Sequence, residues 1–109
     1  MPLLLSRITG FTDWPAVGPE KLHQLFPQGI EVEFRQLYFE LAQAYDSVNF
    51  DALRKLVPSS HILFGTDYNR FPIAHSVALF EKLHISATLR RSIERENALA
   101  IFPRFRTAA

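Results

Sequence analysis

Apolar residues in this chain come in short blocks separated by breakers, and the blocks differ in period. Ile62-Leu63-Phe64 is a continuous apolar triplet, the pattern of a strand buried on both faces. Gly65-Thr66-Asp67 closes it. Leu37 to Leu41 is a second short run, rich in β-forming aromatics; it reads as a strand, although a helical reading extends it through Ala44. Between them, Asn49 to Val57 places Leu53, Leu56 and Val57 at helical spacing, with Asn49 as N-cap, and Pro58-Ser59-Ser60 ends the helix. Pro72 opens another helix, Ile73 to about Leu83, with Ile73, Val77 and Phe80 on one side. Ser86 caps a third, through Leu89 and Ile93, and a last turn spans about Asn97 to Phe102 before Pro103.

The first third has a different texture. Gly10, Pro15, Gly18 and Pro19 are loop punctuation; Pro19 to Phe26 can form a short helix, which Pro27-Gln28-Gly29 stops. The expected organisation is a loop-rich segment over 1–36 and a βαβαα unit over 37–109. Strand, helix, strand with short links argues for α/β architecture and a parallel pair. Two strands do not make a whole sheet of that kind, so the chain reads as part of something larger.

Composition narrows the partners. In 109 residues the formal net charge is +1, which gives no reason to expect nucleic acid or an anionic membrane as partner. Apolar residues at 48% can build a core. There is no cysteine, so disulfides, thiolate zinc sites and a cysteine nucleophile are excluded, and a reducing cytoplasm is the expected compartment. No apolar run approaches the roughly 20 residues of a membrane helix.

The segment that carries chemistry is Leu63-Phe64-Gly65-Thr66-Asp67-Tyr68. It delivers a carboxylate at the C-terminal end of an apolar strand, where parallel α/β folds collect ligands and catalytic groups. Gly65 permits close backbone approach, and Thr66 can steady the turn. Asp67 is then either a rigidly mounted metal ligand or base, or the N-cap of the next turn.

Together with its surroundings this hexapeptide resembles a family. HILFGTDYNRFP, followed by helices ending in ERENALAIFPRF, is similar to the C-terminus of the amidohydrolase-related (amidohydrolase 2) proteins, in the branch of aminocarboxymuconate-semialdehyde decarboxylase. There the eighth barrel strand reads apolar-Phe-Gly-Ser/Thr-Asp-Tyr/Trp-Pro, and the chain closes in Gly-Asn-Ala-x-x-apolar-Phe. The matching residues are Phe64 to Tyr68 and Asn97 to Phe102, with Asn69 where Pro is usual and Glu96 where Gly is usual. The family often has Asp where Glu40 stands. Pro2 to Ile8 resembles the segment after strand 6, which would start the chain a few residues past the strand-6 histidine.

The resemblance implies the C-terminal part, about strands 7 and 8 with flanking helices, of a metal-dependent (β/α)8 barrel. It implies a divalent metal, usually zinc, and a hydrolase or a carboxy-lyase acting on an aromatic or unsaturated carboxylic acid. Of the family's metal ligands, a His-x-His pair on strand 1, later histidines and the strand-8 Asp, it places only Asp67 here, as metal ligand and catalytic group. Such a barrel needs about 250 residues, so the expectation is a portion inactive alone that self-associates or pairs with the missing barrel half.

Other residues offer less. His23, His61, His75 and His84 form no His-x-His or His-Glu-x-x-His spacing. His75 can approach Asp67 from the lid side, and Arg70 can meet a substrate carboxylate, but a surface histidine and a solvated loop arginine are the commoner cases. Arg91 and Glu94 have the spacing of a surface pair. Arg104 and Arg106 beside Phe102 and Phe105 are too few basic groups for RNA. Glu40, Asp46 and Asp51 show no paired-carboxylate spacing. From a different class, the rival reading is a free-standing, non-catalytic α/β interaction or oligomerisation domain.

Overall fold

The computed structural model describes residues 2–10 and 16–107, apart from the side chains of residues 2–4 and 8. The loop expected at Pro15 lies outside the described residues, as does the Ile8 side chain of the N-terminal motif. The chain divides into two units, Met1–Leu37 and Tyr38–Ala109.

The first unit is helical where a loop-rich segment is expected. It holds α1 (Pro2–Thr9), α2 (Gly18–Leu25) and α3 (Ile30–Arg35), with α1 against α3. Pro19 sits in the first turn of α2, where its missing N–H costs nothing. Gly29, at φ +92°, turns the chain between α2 and α3 in a conformation that side-chain-bearing residues rarely take. Ile30, Val32 and Phe34 alternate with polar residues, a strand-like period that hides a helix burying only Phe34.

The second unit contains β1 (Phe39–Glu40), α4 (Ser47–Leu56), β2 (Ile62–Leu63) and α5 (Ile73–Glu81). A final helix follows, α6 (Ala87–Arg91) running through a π-helical turn at Ser92–Glu96 into α7 (Asn97–Ile101). The strands pair in parallel, Phe39 with Ile62 and Glu40 with Leu63, and α4 lies in the crossover between them. Both strands are shorter than the apolar runs suggest. Leu37 and Tyr38 are exposed, and β2 is fully covered only at Ile62, Leu63 being half-buried.

Two helices depart from their expected faces. Asp46, not Asn49, is the N-cap of α4: its Oδ1 accepts from the Asn49 amide at 2.9 Å and its Oδ2 from the Asn49 side chain at 2.6 Å. These bonds hold the Asp46 carboxyl below the usual carboxylate range. The cap lies three residues earlier than expected, and the buried side chains are Phe50, Leu53 and Val57, with Leu56 half-buried. In α5 the covered residues are Ser76 and Phe80, while Ile73 and Val77 are exposed. The Ser76 hydroxyl donates to the Thr66 carbonyl at 3.3 Å, so a buried hydrogen bond, not apolar period, accompanies the rotation of the helix.

Arg90 is half-buried. Its guanidinium donates to the carbonyls of Phe80 at 2.9 Å and Leu83 at 2.8 Å and lies 4.8 Å from the Phe80 ring centroid, closing the C-terminus of α5. Ser86 caps α6 as expected, accepting from the Leu89 amide at 3.2 Å. The expected Arg91–Glu94 pair is replaced by Arg91 and Arg95 on Glu96, at 3.3 and 3.1 Å. The π turn has one more residue per turn than an α-helix, which brings the five-apart Arg91 and Glu96 together.

Candidate functional site

The site is built where β1 and β2 end. Beyond β2 the Phe64 amide donates to the Ile93 carbonyl at 3.0 Å. Gly65 then passes beside Tyr45, whose hydroxyl donates to the Gly65 carbonyl and accepts from the Gly65 amide. A side chain at Gly65 would collide with the Glu40 carboxylate, which folds over it and accepts from the Ala42 amide at 3.0 Å. This is the close approach expected of Gly65, and its occupant is the last residue of β1.

Asp67 comes next, exposed and at φ +51°. Its carbonyl accepts from the amides of Arg70 at 3.0 Å and Phe71 at 3.2 Å, which closes a tight loop. Among the described residues its carboxylate takes no hydrogen bond, and α5 starts after Pro72 without a side-chain cap. The Asp67 side chain therefore caps neither this loop nor α5. Asn69 is also left-handed, at φ +50°, a conformation that aspartate and asparagine tolerate better than most residues.

Burial pushes the Tyr45 hydroxyl up to about 12; its bond to Gly65 opposes this, and the Glu40 charge adds to the rise. The sign follows from linkage. A phenol ionises near pH 10 when unfolded, so the fold favours the protonated form, and that stability is present below about pH 10 and lost as pH rises through about 12. Denaturant titrations across this window should show a steep alkaline loss that Tyr45→Phe flattens. Equal slopes in the two proteins would remove Tyr45 from the account.

The remaining sequence candidates do not converge on Asp67. His75 is exposed in the first turn of α5 and stacks on Phe71 at 5.8 Å. His61 precedes β2, as expected, and stacks on Tyr38 at 4.1 Å. Arg70 is exposed on the loop, and His23 is exposed on α2. His84 lines a groove of about 360 Å³ with Tyr45, Asp46, Phe50 and Lys82, which Asp67 does not reach. Arg106 donates to the Leu99 carbonyl at 3.3 Å, and Arg104 lies over Phe105.

Among the described residues, no three of His, Asp and Glu lie close enough together to hold a metal ion. A catalytic zinc site normally has three protein ligands, so the described residues do not complete one. Tyr45 is not among the residues the sequence singles out; its signal is an aromatic ring with a hydroxyl just past a strand, suited to span core and backbone. No helix among the described residues is long and apolar enough to cross a membrane. No protein-family model matches this chain, and no curated protein matches it.

Proposed function

We propose that this chain is the C-terminal portion of an amidohydrolase-related, metal-dependent hydrolase or carboxy-lyase of (β/α)8 architecture, with Asp67 as its strand-8 metal ligand. One observation carries the reading. Asp67 presents an exposed, uncommitted carboxylate just past the C-terminal end of a strand paired in parallel with its predecessor. That is where such barrels place their chemistry. The substrate class is an aromatic or unsaturated carboxylic acid, the metal is zinc, and the compartment is cytoplasmic, in keeping with a chain without cysteine. Other ligands come from polypeptide outside this sequence, and the partner is the remaining barrel or a second copy of the chain, with neither nucleic acid nor membrane involved.

The loop differs from the family pattern at one point. Asn69 stands where the family usually has proline, and proline, fixed near φ −65°, cannot adopt the φ of +50° found here. The loop after Asp67 thus follows a path closed to a chain with proline at that position.

The second reading, a free-standing, non-catalytic α/β interaction or oligomerisation domain, is favoured by the final helix, whose Ile93 carbonyl accepts from the Phe64 amide and whose Asn97 side chain donates to the Ile62 carbonyl. One experiment separates the two. Reading the DNA upstream should reveal an in-frame His-x-His roughly 200 codons before Met1 on the barrel length scale. The extended protein should bind about one zinc per chain and lose it in Asp67→Ala. An extended protein whose zinc content ignores Asp67→Ala, or an upstream region with no such pair, rejects the enzyme reading.

A further inference from the structure

We infer that the C-terminal helix is a self-made cap on the outer edge of β2, which occupies the groups an incoming strand needs and has to release them before one can add. The ladder to β1 sets the geometry. The Leu41 amide donates to the Leu63 carbonyl at 3.1 Å, so the Leu63 backbone faces β1. Backbone groups alternate along a strand, and those of Ile62 and Phe64 face the other edge. An ordinary two-stranded sheet leaves that edge open to pairing.

Here it is filled. The Ile62 amide donates to the Ser59 carbonyl within the turn that precedes β2. The Ile62 carbonyl accepts from the buried Asn97 side chain at 2.8 Å, and the same Asn97 nitrogen donates to the Ser59 carbonyl at 2.8 Å. The Phe64 amide donates to the Ile93 carbonyl at 3.0 Å. In a regular α-helix the Asn97 amide would claim the Ile93 carbonyl. The π turn sends that amide to the Ser92 carbonyl instead, which frees the Ile93 carbonyl for β2. A side-chain donor and a diverted carbonyl, four residues apart on one face, thus imitate a neighbouring strand. The cap does not depend on the enzyme reading, since a strand from any source meets the same bonds.

Amide hydrogen exchange of the intact 109-residue chain, read by NMR, tests this. The Phe64 amide, on the outer edge, should exchange as slowly as the Leu41 amide on the inner one. Asn97→Ala, and separately deletion of the exposed Glu94 to restore a continuous α-helix, should speed Phe64 about tenfold or more while Leu41 changes less than about threefold. A Phe64 amide that exchanges like an exposed amide in the unaltered chain overturns the proposal. So does a common acceleration of both amides in both variants, which would make the helix a general stabiliser and not an edge cap.

Discussion

Phe80→Ala is expected to cost about 3–5 kcal/mol, the range for deleting a buried phenylalanine, and so to consume much of the stability of a small domain. Phe80 is 2% exposed. Its ring is 5.6 Å from that of Tyr45 and 5.5 Å from that of Phe64, both tilted, so one truncation removes two aromatic contacts as well as area. It also strips the platform under Arg90, whose guanidinium then remains on the α5 carbonyls without its ring. The damage reaches the site, because Tyr45 holds Gly65 two residues before Asp67. Phe102→Ala is the control: that ring is 47% exposed, and its loss should stay within about 1 kcal/mol. Guanidinium unfolding of both variants decides. A Phe80→Ala midpoint no lower than that of Phe102→Ala would show that the ring cluster is not the centre of the core.

What could be read from the residues, and what could not, divides along a physical line. Apolar continuity at Ile62-Leu63-Phe64 and the helix between it and Leu37–Leu41 were enough to anticipate the parallel pair and the place of Asp67. Those signals depend on local burial and on chain connectivity. The face of α5 was illegible because Ser76, a polar residue, faces inward to meet the Thr66 carbonyl, while Ile73 and Val77 stay outside. The start of α4 is ambiguous for a similar reason: Asp46 and Asn49 are both good caps, and only the geometry shows Asp46 accepting and Asn49 donating. The π turn leaves no periodic mark, since a single extra residue in a mixed-charge stretch shifts no apolar stripe. Asn97 stands in the closing Asn97-to-Phe102 motif, but its two bonds to Ser59 and Ile62 belong to tertiary structure.

Purified without a histidine tag and dialysed against zinc, this chain should retain far less than one ion per molecule, and Asp67→Ala should leave that amount unchanged. An exposed carboxylate exchanges zinc for water readily, because affinity in a catalytic site comes from three ligands fixed together around the ion. Here Asp67 stands by itself on its loop: His75 is engaged with Phe71, Glu40 is folded back on Gly65 and Ala42, and no three donors converge among the described residues. Even a weakly held ion would have ordinary bound water, since acidity near neutrality requires a fixed, partly dehydrated shell. Metal analysis by plasma emission provides the measurement. Near one zinc per chain, lost in Asp67→Ala, would mean that a second copy or residues outside the described set supply the missing ligands, and sedimentation of the zinc-loaded protein would tell these apart. If the site forms between copies, zinc and mass should rise together, and Asp67→Ala should abolish both.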